Sequence, residues 1–318
     1  MRKPGTPPLV TIFGGGGFIG RYVCESLLKA GARIRVAERH PRRAWFLQPL
    51  GGVGQVSTIA ADLQRPDSIA AAVDGADSVI NLVGVFKGDL DKVHIDGAGK
   101  LAAAAKAAGA GAFVHISAIG TDEDSLSDYS RTKALGEQAV RKSFPQATII
   151  RPSVVFGPED NFTNRFAGLA RFPILPVIAP RTRFQPVYVR DLGQAIAAAA
   201  LDPRTHAGQT YELAGPDILT MRQLHSEIAE MAGQSPALID MPDFMASVVA
   251  SFGFLPGAPL NNDQWIMLQT DNVPDGKHPG FKAFGITPTP MPAVAREWLG
   301  RFRKGGRFAP GNEVPSAG

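Results

Sequence analysis

The tightest constraint on this chain is one junction near its amino terminus. A β-prone apolar run, Leu9 to Phe13, passes directly into Gly14-Gly15-Gly16-Gly17-Phe18-Ile19-Gly20, and a helical pattern begins at once. Apolar Ile19, Val23, Cys24, Leu27 and Leu28 recur at spacings of three and four, the stripe of a helix packed on a sheet, and Gly31 is a suitable left-handed terminator. Strand, glycine turn and helix in that order make the chain reverse sharply with its backbones in close approach, which residues without a Cβ permit.

The alternation continues downstream. Apolar β-prone runs at Ile34 to Ala37, Val56 to Ile59, Ser78 to Val83, Ala112 to Ser117 and Thr148 to Arg151 are expected as buried strands separated by helices. The alanine-rich stretch Leu101 to Ala108 reads as the helical crossover before the fifth strand, because alanine favours helices and permits close packing on a sheet. Right-handed crossovers then build an α/β, Rossmann-type, doubly wound parallel sheet with its ligand at the carboxyl edge of the strands. A 44% hydrophobic, 19% charged composition excludes a wholly disordered chain.

At 318 residues the chain exceeds the usual single domain. The expected division is a dinucleotide-binding core over 1–158, a smaller carboxyl-terminal lobe over 159–303 with elements returning to the core, and a flexible tail over 304–318. In the lobe, Pro173, Pro176 and Pro180 predict a broken loop before Phe184 to Val189 and a helix from Asp191, together a lid beside the ligand. Thr220-Met221-Arg222-Gln223 has capping-box form and opens a helix whose His225 is expected at the surface. The segments Met241 to Leu255, Trp265 to Leu268 and Trp298 to Arg303 are read as core, with a membrane-surface or partner-docking face, which their aromatic and cationic groups would suit, as the alternative.

The glycine turn also carries chemistry. Gly14, Gly17 and Gly20 stand at GxxGxxG spacing between strand and helix, where backbone can approach a pyrophosphate and a helix amino terminus offers N–H donors and a positive dipole end. A glycine run alone would be a flexible loop; its flanks favour a dinucleotide. At the end of the second strand, Glu38 could accept the adenosine ribose hydroxyls of NAD(H), whereas Arg39, with Arg42 or Arg43, offers a fork for the 2′-phosphate of NADP(H). NADP(H) is the preferred reading, on Arg39, with NAD(H) the rival. After the third strand Asp62, beside Leu63, can accept from an adenine amino group; after the fourth, Asn81-Leu82-Val83-Gly84 leaves room for the cofactor while Asn81 holds nearby backbone.

The fifth strand ends His115-Ile116-Ser117-Ala118, and Tyr129 and Lys133 follow, four apart on one helical face. A lysine charge favours the phenolate, so a tyrosine so placed can act as acid or base near neutrality. YxxxK alone is usually a solvated helix face; with the glycine turn it becomes specific.

These motifs, with Arg151-Pro152-Ser153-Val154-Val155-Phe156-Gly157-Pro158 after the sixth strand, resemble the extended short-chain dehydrogenase/reductases. More narrowly, that segment and Phe184-Gln185-Pro186-Val187-Tyr188-Val189-Arg190-Asp191 resemble the nucleotide-binding accessory subunit of respiratory complex I and its bacterial relatives. The resemblance implies a tightly held NADPH near the quinone-reaction region, with respiratory complex I or quinone-biosynthesis proteins as partners. By the family pattern Gly14, Gly17, Phe18, Ile19 and Gly20 hold the pyrophosphate, Arg39 the 2′-phosphate, Asp62 and Leu63 the adenine, Lys133 the nicotinamide ribose, and Pro152, Ser153 and Val155 the nicotinamide side, which Tyr129 faces. Catalytic members end the fifth strand with paired hydroxyls; here Ser117 is followed by Ala118, and the position aligned with the catalytic serine is alanine. Losing that donor costs roughly 10²-fold or more in rate. Two roles stay open: a nucleotide-holding structural, assembly or quinone-related protein, or an NADP-dependent reductase or epimerase using Tyr129, Lys133 and Ser117 on a small molecule.

The formal charge of +4 does not identify nucleic acid, and none is expected as a partner. The single cysteine, Cys24, reads as a small buried side chain. No ligand grouping with metal spacing is seen, no apolar run reaches bilayer length, and a cytoplasmic location, peripheral on the inner face of the respiratory membrane, is expected.

Overall fold

The computed structural model describes residues 6–251 and 260–303. Six strands come first: β1 (Leu9–Phe13), β2 (Arg33–Glu38), β3 (Val56–Ala60), β4 (Ser78–Asn81), β5 (Ala112–Ile116) and β6 (Thr148–Pro152). They are followed by β7 (Val155–Phe156), β8 (Ile174–Val177), β9 (Arg183–Phe184), β10 (Val187–Tyr188), β11 (Thr210–Leu213), β12 (Leu219–Thr220) and β13 (Ala237–Asp240). The central sheet has the order β11-β6-β5-β4-β1-β2-β3 and every pairing is parallel. The order reverses between β1 and β4, which places the switch point of a doubly wound sheet beside the glycine turn. Register carries that edge across the sheet: Phe13 lies opposite both Ala37 and Asn81, and Asn81 opposite His115.

Four crossover helices matter for the site: α1 (Phe18–Lys29), α2 (Pro66–Val73), α3 (Ala98–Ala107) and α4 (Asp128–Ser143). Their small side chains let them lie close on the sheet. Ala72, Ala98, Ala102 and Ala105 are fully buried with Phe13, Val79, Leu101 and Phe113 in one core cluster, and burial on both faces is why β1, β4 and β5 read as unbroken apolar runs. Helix α1 stops at Lys29, with Gly31 at φ +80°. Cys24 is buried there, and burial pushes its thiol up to about 12, consistent with an inert packing residue.

Two compact units are present. Met1–Ser153, Val189–Ala214 and Pro274–Thr287 form one; Val154–Tyr188, Gly215–Val273 and Pro288–Gly318 form the other. In the first, the helix Val189–Leu201 and the strand β11 come back after an excursion, and β11 extends the sheet beyond β6. The expected strands did not include β11; Thr210–Leu213 is too short to stand out by periodicity.

The second unit departs from expectation at three places. Its proline-rich stretch is not all loop, because Ile174–Val177 forms β8 and pairs in parallel with β13. Pro176 is accommodated because a two-stranded ribbon leaves one side of each strand unpaired. His225 is not at the surface: it is buried, set edge-on against Phe166 at 4.0 Å, and burial lowers its pKa to about 4. The helix Met221–Met231 has the predicted capping box. Trp298 and Leu299 are core, but Phe244, Met245 and Val248 are exposed while Ala246 and Ala250 of the same helix are buried, so the core reading fails over Asp243–Ser251, and 252–255 of that apolar segment lie outside the described residues. The tail over 304–318 lies outside the described residues.

Candidate functional site

At the end of β1 the chain turns at Gly14, whose φ of +81° is strained for any residue with a Cβ. Gly17 N–H closes the turn on the Gly14 carbonyl at 3.1 Å. Gly20 permits the next approach: a Cβ there would sit 2.5 Å from both the Gly14 and Gly15 carbonyl oxygens. Helix α1 therefore begins close against the turn, with Gly17 as its cap, no side-chain cap and no acidic residue in its first turn. An uncapped amino terminus behind a glycine cradle is suited to a phosphate-bearing ligand.

Glu38 ends β2 and its Oε1 accepts from the Gly16 N–H at 2.8 Å, so its carboxylate braces the turn. Arg39, next along, is exposed, as are Arg42 and Arg43, and Arg42 lies over the Trp45 ring at 5.6 Å. Asp62 is engaged locally: its Oδ1 accepts from the Gln64 N–H at 2.9 Å, and its own N–H donates to Ser68 Oγ. The Leu63 side chain is built into the core cluster.

The β4, β5 and α4 ends bring together a second, denser group. Asn81 is buried; its Oδ1 accepts from the Val83 N–H at 3.1 Å and its Nδ2 meets His115 Nδ1 at 3.1 Å. Gly84 is open, a Cβ there reaching only His94 Nε2 at 3.9 Å. Lys133 is buried, its Nζ donating to the Ile116 carbonyl at 2.5 Å. Burial lowers its pKa from 10.5 to about 8, opposed by the Glu137 carboxylate. His115, wholly enclosed, is held far below the usual histidine range by burial and then by the Lys133 charge.

His94, on a single π-helical stretch Asp91–Gly97, was not singled out from the sequence. It accepts from the Val85 N–H at Nε2 (3.1 Å), so Nδ1 carries the proton and donates to Thr132 Oγ1 (2.8 Å). Burial, then Lys133, lowers its pKa to about 4 and keeps it neutral. Its ring meets Tyr129 edge-on at 5.5 Å, while Phe86 stacks on Tyr129 at 4.5 Å. No short-range motif marks His94 or Phe86, because the loop after β4 meets α4 only in the fold.

Ser117 leaves the strand with its N–H on the Ile150 carbonyl, and its buried hydroxyl has no hydrogen-bond partner among the described residues. Pro152 accepts from Ile119 N–H, and the buried Ser153 donates its N–H to Leu213. Val155 belongs to the second unit, on β7 paired with β10. Beneath the cluster Arg151 makes a bidentate pair with Glu137 (2.9 and 2.7 Å) and lies 3.6 Å from Glu212, joining α4, β6 and β11.

Residues 14–166 match the NAD(P)H-binding family model. The mouse mitochondrial NADH dehydrogenase (ubiquinone) 1 alpha subcomplex subunit 9 is 33% identical over 304 residues, covering 93% of this chain and 80% of that protein. The chain belongs to this NAD(P)-binding family. It is a short-chain dehydrogenase/reductase-like protein, homologous to a complex I subunit. The Caulobacter vibrioides ceramide reductase is 32% identical over 240 residues, 74% of each chain. The fold is shared with an Escherichia coli NADPH-dependent quinone oxidoreductase solved with NADPH, at TM-score 0.73 and 20% identity, over 91% of this chain and 99% of that one. Among the described residues no helix is long and apolar enough to cross a membrane.

Proposed function

We propose that this chain holds NADP(H) as a long-lived ligand and serves the respiratory quinone system as an accessory or assembly subunit, peripheral on the cytoplasmic face of the membrane. The observation that carries the reading is the likeness to the mouse subunit along nearly the whole chain. At the site, Gly14, Gly17, Phe18, Ile19 and Gly20 would hold the pyrophosphate and Arg39 a 2′-phosphate. The backbone near Asp62 and Leu63 would take the adenine, and Lys133 would donate to the nicotinamide ribose, with Pro152 and Ser153 on the nicotinamide side. Asn81, Val83 and Gly84 would line the way past the β4 end. A bound nicotinamide supplies hydride chemistry; the protein's own contribution to turnover is meagre, since Tyr129 packs under Phe86 and Ala118 stands where a hydroxyl would polarise a carbonyl.

The test is the ligand itself. Gently purified protein, denatured and examined by mass spectrometry, should release stoichiometric NADPH, and the native protein should exchange it slowly for added labelled NADPH and copurify with quinone-reducing membrane complexes. An empty or rapidly exchanging site, with no such partner, sinks the accessory role.

A second reading, an NADP-dependent reductase on a small molecule, is favoured by Lys133, whose lowered pKa suits proton transfer near neutrality beside Tyr129, and by the likeness to the ceramide reductase. It expects Tyr129→Phe to abolish turnover and spare dinucleotide affinity. Undiminished activity in that variant removes Tyr129 from the chemistry.

A further inference from the structure

The connection between β2 and β3 is a 3-10 segment, Pro41–Leu50, and a glycine-rich tip, and its surface is unusual for a crossover. It buries only Ala44 and Leu47. Outward it exposes Trp45 (52%), Leu50 (46%) and Val53 (111%), the last raised on Gly51-Gly52-Val53-Gly54. Exposed Arg42 and Arg43 flank them, Arg42 with its guanidinium over the Trp45 ring, and Arg21 of α1 lies 4.5 Å over the neighbouring Phe46. From Arg39 to Ala61 the sequence has no Asp or Glu, and among the described residues Arg42 and Arg43 form no ion pair.

We propose that this connection is a membrane-surface anchor, with Trp45, Leu50 and Val53 entering the headgroup boundary of an anionic bilayer and Arg42 and Arg43 on its phosphates. Charge complementarity selects the occupant. Two exposed arginines that form no ion pair, on a connection with no Asp or Glu of its own, favour an anionic surface, and cation–aromatic stacking keeps a guanidinium at the depth of an indole. A fluid interface accepts a lone aliphatic side chain on a loop tip; a protein partner would need a matching pocket for it. The exposed helix Asp243–Ser251 in the other unit lacks this signature, since it opens with Asp243 and follows Asp240. The apolar tip, Trp45, Leu50 and Val53, is not among the residues assigned to the nucleotide, and the anchor would hold an accessory subunit to the membrane surface.

The experiment is sedimentation of the full chain with vesicles of phosphatidylcholine, with and without phosphatidylglycerol. Binding is expected to the anionic vesicles only and to weaken with added salt. Both Trp45→Ser/Leu50→Ser/Val53→Ser and Arg42→Gln/Arg43→Gln should lower it about tenfold or more, with circular dichroism unchanged in both and dinucleotide binding unchanged in the apolar variant, which separates this result from failure of the nucleotide reading. Because these side chains are exposed, both variants should fold; if the apolar one does not, Val53→Ser alone still reads the tip. Equal binding to both vesicle types, binding indifferent to the substitutions, or no binding overturns the proposal. Self-association or capture of an acidic protein that the same substitutions abolish, without vesicle binding, reassigns the patch to that occupant.

Discussion

Two neighbouring parts of the sheet's carboxyl edge are built from opposite materials. At β1 the site is backbone: a left-handed glycine, a closely approaching helix start and uncapped N–H groups, with Glu38 bracing the turn. At β5 and α4 it is buried side chains, Asn81, His94, His115, Ser117 and Lys133, with Asn81 bonded to His115 and both histidines held neutral in part by the Lys133 charge. The first leaves no room for a Cβ at Gly20. The second tolerates little change of charge. In the role proposed above a dinucleotide would rest on the first, and any chemistry would draw on the second.

The largest expected effect probes the charge-built end. Glu137→Ala strips the bidentate partner from half-buried Arg151 and should cost about 3 kcal/mol of stability, read by denaturant unfolding; a loss within experimental error would mean that Glu212 and solvent suffice for Arg151. Gly20→Ala tests the volume-built end. Its methyl would meet backbone oxygens that cannot move aside, so about 1–3 kcal/mol of stability should go together with dinucleotide affinity. Retained affinity, measured by calorimetry, would show that the cradle can widen. Arg39→Ala should weaken NADPH about tenfold or more by removing a charge-assisted contact and leave NADH nearly unchanged. Equal losses would return the assignment to Glu38.

The smallest effect is the most diagnostic of the difference. Lys133 loses its proton near pH 8 in the folded chain and near 10.5 when unfolded. Between those values the unfolded chain holds more protons, so stability should rise with pH across the window, while affinity that depends on the ammonium falls as pH passes about 8. Lys133→Met should flatten both curves. A wild-type profile already flat through that range would mean that Lys133 does not titrate there.

Much of the volume-built end was legible, because steric demands are local: the glycine spacing, the strand before it and the apolar stripe of α1 are contiguous in the sequence. The strand cores were legible for the same reason, and their ends fell within a residue or two of expectation. Asn81, Lys133, Tyr129 and Ser117 could be named from their positions after strands. Their states could not. That Phe86 covers Tyr129, or that Lys133 donates to Ile116, depends on a loop and a helix that are distant along the chain. β8 and β11 were missed where short strands depend on their partner for identity, and His225 where polarity suggested solvent but the fold supplied Phe166.

By itself the sequence determined the parallel α/β sheet, the glycine turn at its carboxyl edge and the family, since burial pattern and backbone freedom are written residue by residue. Tertiary structure alone decided which polar groups share an enclosure, and so which are charged: His94 and His115 neutral, Lys133 poised near 8. It also decided which apolar residues stay in water, leaving Trp45 and Val53 outside while Trp298 went in. Desolvation and Coulomb interaction act through space, and no spacing along the chain encodes them.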